Sequence, residues 1–219
     1  YETSMTVLDL ARSVGDLVME AQCLYDLGTL HMMTGDLPRA FATLYAALDL
    51  YEQHGNLSDV ASTLGQLGAT YAQLQEVDRG REMFLRAADI YTALNEPYGL
   101  IDTYGNLGIT HLNAGSFDHA RTYLERAVQT AESIGADHHR TFFVEALATS
   151  LQGLGESDAA LALLDREAEN FRKYPDIAIS GNVTRSKILI AQGQADEANA
   201  LLLADLAALE SDPRTDLRI

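Results

Sequence analysis

Core-type positions recur at intervals of three and four along almost the whole chain, as in Leu24, Leu27 and His31, then Ala40, Leu44, Ala47, Leu48 and Tyr51. That spacing collects them on one stripe of an α-helix. Strict alternation over four or more residues is absent, so no sheet is expected. The stripes are punctuated on a beat of 20 residues: Gly15, Gly35, Gly55, Asn95, Gly115, Gly135 and Gly155, with Gln75 and Pro175 on the remaining grid points. Gly and Asn tolerate the left-handed backbone that ends a helix, and Pro stops one from continuing, so each interval predicts one helix. Asp16, Asp36, Asn56 and Ser116 follow four of the glycines and offer N-cap side chains to the next helix.

Taken in pairs, these helices form a repeat of 40 residues. Leu24-Leu27-Gly28-His31 returns as Leu64-Leu67-Gly68-Tyr71, then Tyr104-Leu107-Gly108-His111, then Val144-Leu147-Ala148-Leu151. The second helices repeat as Ala40-Leu44-Ala47, Gly80-Phe84-Ala87 and Ala120-Leu124-Ala127, and then as Ala160-Leu164 with Glu167 in the last place. Small residues at the outer two places let paired helices approach closely, while the large one fills the space between hairpins.

The pattern resembles the tetratricopeptide repeat family: a bulky residue, Leu-Gly, a Tyr-type position, then Ala, an aromatic and Ala. Tyr104 to Ala127 is its best instance, and the resemblance covers residues 21 to 172. The usual repeat has about 34 residues, so 40 implies longer helices, as in the branch containing kinesin light chains, polarity adaptors and bacterial regulators. The resemblance implies an all-α, right-handed superhelical solenoid of antiparallel hairpins with about 11 helices. Its expected divisions are a half repeat at 3–14, repeats at 21–60, 61–100, 101–140 and 141–178, and a degenerate capping repeat at 179–210. The whole of 1–219 is read as one such domain, and the opening Tyr1 as a sign of a piece cut from a longer protein.

The family's groove-facing positions fall on Tyr25, Asp26 and Thr29 in the first repeat, Gln66 and Gln73 in the second, Asp102, Asn106 and Asn113 in the third, and Glu145 and Gln152 in the fourth. Gln66 and Gln73, like Asn106 and Asn113, are seven apart, two turns along one helix face. An amide donates and accepts at once, which suits the backbone of an extended peptide. The basic side chains that clamp a C-terminal carboxylate in chaperone-binding relatives are missing from these places.

Charge narrows the partners. Fifteen Lys and Arg against 32 Asp and Glu leave −17, which argues against nucleic acid or an anionic membrane surface as direct partner. Residues 1 to 78 hold two cations, Arg12 and Arg39, against eleven acids, so a basic protein segment would be steered there. No apolar run has the length of a membrane span, no leader precedes the first helix, and Cys23 stands alone; the expected compartment is the cytoplasm. Candidates for catalysis are thin. His31 and His111 occupy the Tyr position of the repeat and read as core, Asp137-His138-His139 as a solvated helix start, and the paired glycines of 65–68 and 105–108 as packing sites rather than phosphate loops. No catalysis, metal or cofactor is expected. The main reading is a scaffold that binds a peptide or protein segment in its concave groove. The alternative is a sensor or dimerisation module of a larger bacterial regulator whose effector domain lies outside the chain. Leu201, Leu202, Leu203, Leu206 and Leu209 make an apolar arc on the helix of 195–210, and a cover for it is expected, either a second copy in a homodimer or a further C-terminal domain.

Overall fold

A computed structural model describes residues 2–54 and 56–211. All of its regular elements are α-helices, and among the described residues there is no strand. The chain divides between Ala114 and Gly115 into two packed units.

The first unit contains α1 (Glu2–Val14), α2 (Leu17–Met33), α3 (Leu37–His54), α4 (Leu57–Gln73), α5 (Val77–Leu94) and α6 (Pro97–Asn113). Each helix packs on the next, and α4 also touches α2 and α6, so three first helices lie side by side. Leu24, Leu27, Leu64 and Leu67 from first helices and Leu44, Ala47 and Ala87 from second helices share one buried core. The small-residue places are where helices come closest. A methyl group on Gly28 would lie 2.6 Å from Leu44, and one on Gly80 would lie 3.0 Å from the backbone oxygen of Gly68. His31, at the Tyr position, is buried.

The helix ends follow the 20-residue beat. Gly15, Gly35, Gly115, Gly135 and Gly155 all have positive φ, Asn95 joins them at 55°, and Gln75, with no glycine to serve, is forced to 60°. Gly55 lies outside the described residues. The Asp16, Asp36 and Asn56 side chains accept from the backbone N–H three residues on, satisfying donors a helix start leaves orphaned. Ser116 departs from expectation and makes no such bond.

The second unit contains α7 (Phe117–Ser133), α8 (Asp137–Gly153), α9 (Ser157–Arg166), α10 (Ala168–Lys173), α11 (Pro175–Ala191) and α12 (Ala195–Ser211). The described residues thus hold twelve helices where about eleven were expected. The extra one arises because the fourth hairpin's second helix breaks at Glu167. Ala47, Ala87 and Ala127 are fully buried at the matching places of the earlier repeats, and a carboxylate put there must find partners. Glu167, 1% exposed, accepts from Thr141 Oγ1 at 2.8 Å and Asn170 Nδ2 at 2.8 Å, and pairs with Arg140 Nη2 at 3.3 Å. Three donors held around one buried oxygen hold the chain in a turn instead of a further helical turn.

On α12, Leu202, Leu203 and Leu206 are 38%, 57% and 54% exposed, while the side chain of Leu209 lies outside the described residues. No described helix is long and apolar enough to cross a membrane.

Candidate functional site

Because α2, α4 and α6 are neighbours in the first unit, residues at one repeat position stand side by side across it. Tyr25, Gln66, Asp102 and Asn106 come together around a recess of about 220 Å³, with Ser62, Gly65 and Tyr91 completing much of its wall. Gly65 and Gly105 occupy the place that Tyr25 fills in the preceding repeat. A methyl group added at Gly65 would meet nothing within 4 Å, so the missing side chain is what leaves the recess open. Gln66 Nε2 donates to the Tyr25 hydroxyl at 3.4 Å, fixing the two relative to each other across adjacent helices.

A second recess of about 180 Å³ adjoins it, lined by Gln22, Tyr25, Tyr51, Asp59 and Ser62. Here the Tyr51 hydroxyl donates to Gln22 Oε1 at 3.2 Å, and Gln22 Nε2 donates to Asp26 Oδ1 at 3.0 Å. Asn56 Nδ2 donates in turn to Asp59. The Tyr91 hydroxyl lies 2.9 Å from that of Ser62. Burial pushes the Tyr51 phenol up to about 12, with the charges of Asp59 and Asp26 adding to it. Burial also raises Tyr91; the Ser62 hydrogen bond opposes this and Glu96 and Asp102 reinforce it. Both phenols therefore remain protonated near neutral pH.

Neither Tyr51 nor Tyr91 is among the predicted groove positions: Tyr51 reads as part of the core stripe of its helix, and Tyr91 stands 40 residues later at the matching place of α5. Their rings are indeed buried, but each hydroxyl reaches the first helix of its own hairpin, 29 residues earlier. The 40-residue spacing of the two tyrosines was the available signal.

The remaining predicted positions are more dispersed. Asp26 is exposed on α2, and Thr29 lies half-buried one turn beyond Tyr25. Gln73 and Asn113 are exposed near the ends of α4 and α6 and do not line the recess. Glu145 and Gln152 belong to the second unit. There Glu145 ties α8 to α11, accepting from Thr184 Oγ1 at 2.6 Å and from Thr149 Oγ1 at 3.2 Å, while Gln152 is half-buried further along α8.

The second unit has its own cleft of about 500 Å³ among α9 to α12, where Asn182 and Arg185 lie with Phe171, Leu189 and Leu201. Arg185 pairs with Asp165 at 2.6 Å. Elsewhere, Cys23 is buried and its thiol is raised first by burial and then by Asp26, which keeps it in the unreactive protonated form. Among the described residues no group of three or more His, Cys, Asp or Glu could hold a metal ion. His138 stacks edge-on against Tyr174 at the start of α8.

Residues 59–133 match a family model described as tetratricopeptide repeat, and residues 144–166 match a second of the same description. No curated protein matches the sequence. Among solved structures, BtubC (BKLC) from P. vanneervenii is similar over 100% of this chain and 95% of its own, with 14% identity and a TM-score of 0.82. The kinesin light chain-like, nearly identical TPR-like repeats from Podospora anserina share 17% identity over 85% of this chain and 92% of theirs, with a TM-score of 0.72. The Rap conjugation gene regulator of plasmid pLS20, solved in complex with the Phr* peptide, shares 18% identity with a TM-score of 0.69; the match covers 91% of this chain and 56% of that one. At these identities the likeness is one of fold. With the family's motif in its sequence and helix pair upon helix pair in its packing, the chain carries tetratricopeptide repeats over the matched residues 59–133 and 144–166.

Proposed function

We propose that the chain is a non-catalytic interaction scaffold that takes an extended peptide or protein segment along the row of first helices in its first unit. The observation that carries this reading is the recess at Gly65, where Tyr25, Gln66, Asp102 and Asn106 from the first helices α2, α4 and α6 converge on one opening. Its groups are suited to reading a backbone and one inserted side chain. The amides of Gln66 and Asn106 can each donate and accept, the phenol of Tyr25 supplies a flat apolar face with a polar tip, and Gly65 gives the segment room to approach. That a Rap regulator of similar fold was solved in complex with the Phr* peptide supports the reading of a peptide as partner.

Substituting Gly65→Leu tests it. A Cβ at Gly65 meets nothing within 4 Å, so the leucine is directed into the open recess instead of into the core and favours the helix, and thermal stability should be kept or slightly raised. Decapeptides selected on the unaltered chain from a random library should bind this variant at least about tenfold more weakly, a loss of about 1.4 kcal/mol. Undiminished binding with an unchanged melting curve would place the segment elsewhere and overturn the proposal.

A further inference from the structure

We propose that the recess recognises its segment through a cationic side chain, a lysine or an arginine, laid across Tyr25 with its charged end among Asp26, Asp59 and Asp102. This rests on the peptide-binding reading above and adds to it the chemistry of the side chain selected.

The two adjoining recesses share Tyr25 and Ser62, and among the described residues that line them none is Lys, Arg or His. Their polar walls are hydroxyls, amides and the carboxylates of Asp59 and Asp102. Asp26 stands beside them, held by the Gln22 amide that Tyr51 orients from behind. Asp26 and Asp59 thus each receive a neutral amide, from Gln22 and Asn56, which positions the carboxylate while leaving its charge in place. An anionic or phosphorylated segment would meet repulsion at every wall, and a purely apolar side chain would strip water from carboxylates without replacing it.

Size points the same way. At about 220 and 180 Å³ the recesses are too small to enclose a turn of helix, whose diameter with side chains is about 10–12 Å, yet have the volume for the methylenes and head of one side chain. Tyr25, common to both, offers the ring face on which a cation is held by the quadrupole of the π-system. The acid excess of the first 78 residues extends the same field outward and would speed the encounter with a basic segment.

The test is a positional scan of random decapeptides on the full chain, on Gly65→Leu and on an Asp26→Asn/Asp102→Asn double variant. Both aspartates are exposed, so the isosteric changes should leave the melting curve in place. The expected result is enrichment of Lys or Arg at one position and about tenfold or greater loss of affinity on the double variant, steepest at low salt. Replacing the selected cation by norleucine in the peptide should cost a similar factor with the protein untouched. If peptides are retained with no cationic preference, and norleucine and the double variant change nothing, this proposal fails and the peptide-binding reading stands. If no peptide binds the chain better than Gly65→Leu, the peptide-binding reading itself falls, and this one with it.

Discussion

Replacing Glu167 by alanine restores the residue type that the other repeats carry at this place, and should nevertheless destabilise the second unit. The carboxylate is 1% exposed and collects three donors, from Thr141, Asn170 and Arg140. Removing it costs each donor differently. Thr141 keeps its bond to the Asp137 carbonyl at 2.8 Å and loses little. Asn170 is buried and its amide is stranded, at about 1–3 kcal/mol. Arg140, with its side chain 18% exposed, keeps a weaker pairing with Asp137 at 3.4 Å. That retained pairing reduces the ~3–5 kcal/mol typical of breaking a buried pair. Alanine lacks the mass of glutamate and leaves a void, but it also frees the helix to run on, a partial offset. The net expectation is a loss of about 3 kcal/mol for Glu167→Ala. Glu167→Gln should lose about 1 kcal/mol, because its amide oxygen still accepts and only the charge is gone.

Urea unfolding followed by circular dichroism, with hydrogen exchange to locate the loss in α8 to α10, measures both. A stack of repeats need not unfold in one step, so the exchange rates of Thr141 and Asn170 are the primary readout. A double-mutant cycle with Arg140→Met isolates the ion pair: Arg140→Met should cost less in the Glu167→Ala background than in the wild type, since the pair is already broken. The reasoning is refuted if Glu167→Ala is as stable as the wild type, or if Arg140→Met costs the same in both backgrounds.

Two other substitutions test the packing and the turns. Gly28→Ala should destabilise the first unit by roughly 1–3 kcal/mol in chemical unfolding, because the new methyl group would fall 2.6 Å from Leu44 and 2.9 Å from Thr43 Oγ1; stability at or above wild type would disprove the close approach of α2 and α3. Gln75→Gly should raise stability by about 1 kcal/mol by relieving a non-glycine residue at φ 60°, whereas Asn95→Gly should change it by only a few tenths, since asparagine accepts the left-handed region more readily; equal effects at the two sites would count against strain at Gln75.

The hairpins were legible in the sequence because each is specified locally and then repeated. Four copies of the Leu-Leu-Gly spacing and a glycine beat of 20 leave a helix nowhere else to end, and the left-handed turns fall on Gly15, Gly35, Gly115, Gly135 and Gly155. Part of the recess wall was legible for the same reason. Residues 40 apart share a face, which brings Tyr25, Gln66, Asp102 and Asn106 into one wall.

Where the outcome depended on contacts between helices, the sequence was silent. Tyr51 read as core from its periodicity, and its ring is core, as is that of Tyr91 40 residues on; only the packing of neighbouring helices sends their hydroxyls to Gln22 and Ser62. Glu167 looked like an interruption of an alanine pattern, and whether it would sit in solvent or break its helix was decided by Arg140 and Thr141 across the hairpin and Asn170 beside it. Ser116 had the right chemistry for a cap and makes no cap bond, because a side-chain bond depends on rotamer and neighbours and not on residue type alone. Periodicity is a property of one chain segment read by itself. The recess, the buried carboxylate and the orientation of the tyrosines are properties of several segments in contact, and only the tertiary structure supplies the distances that make them.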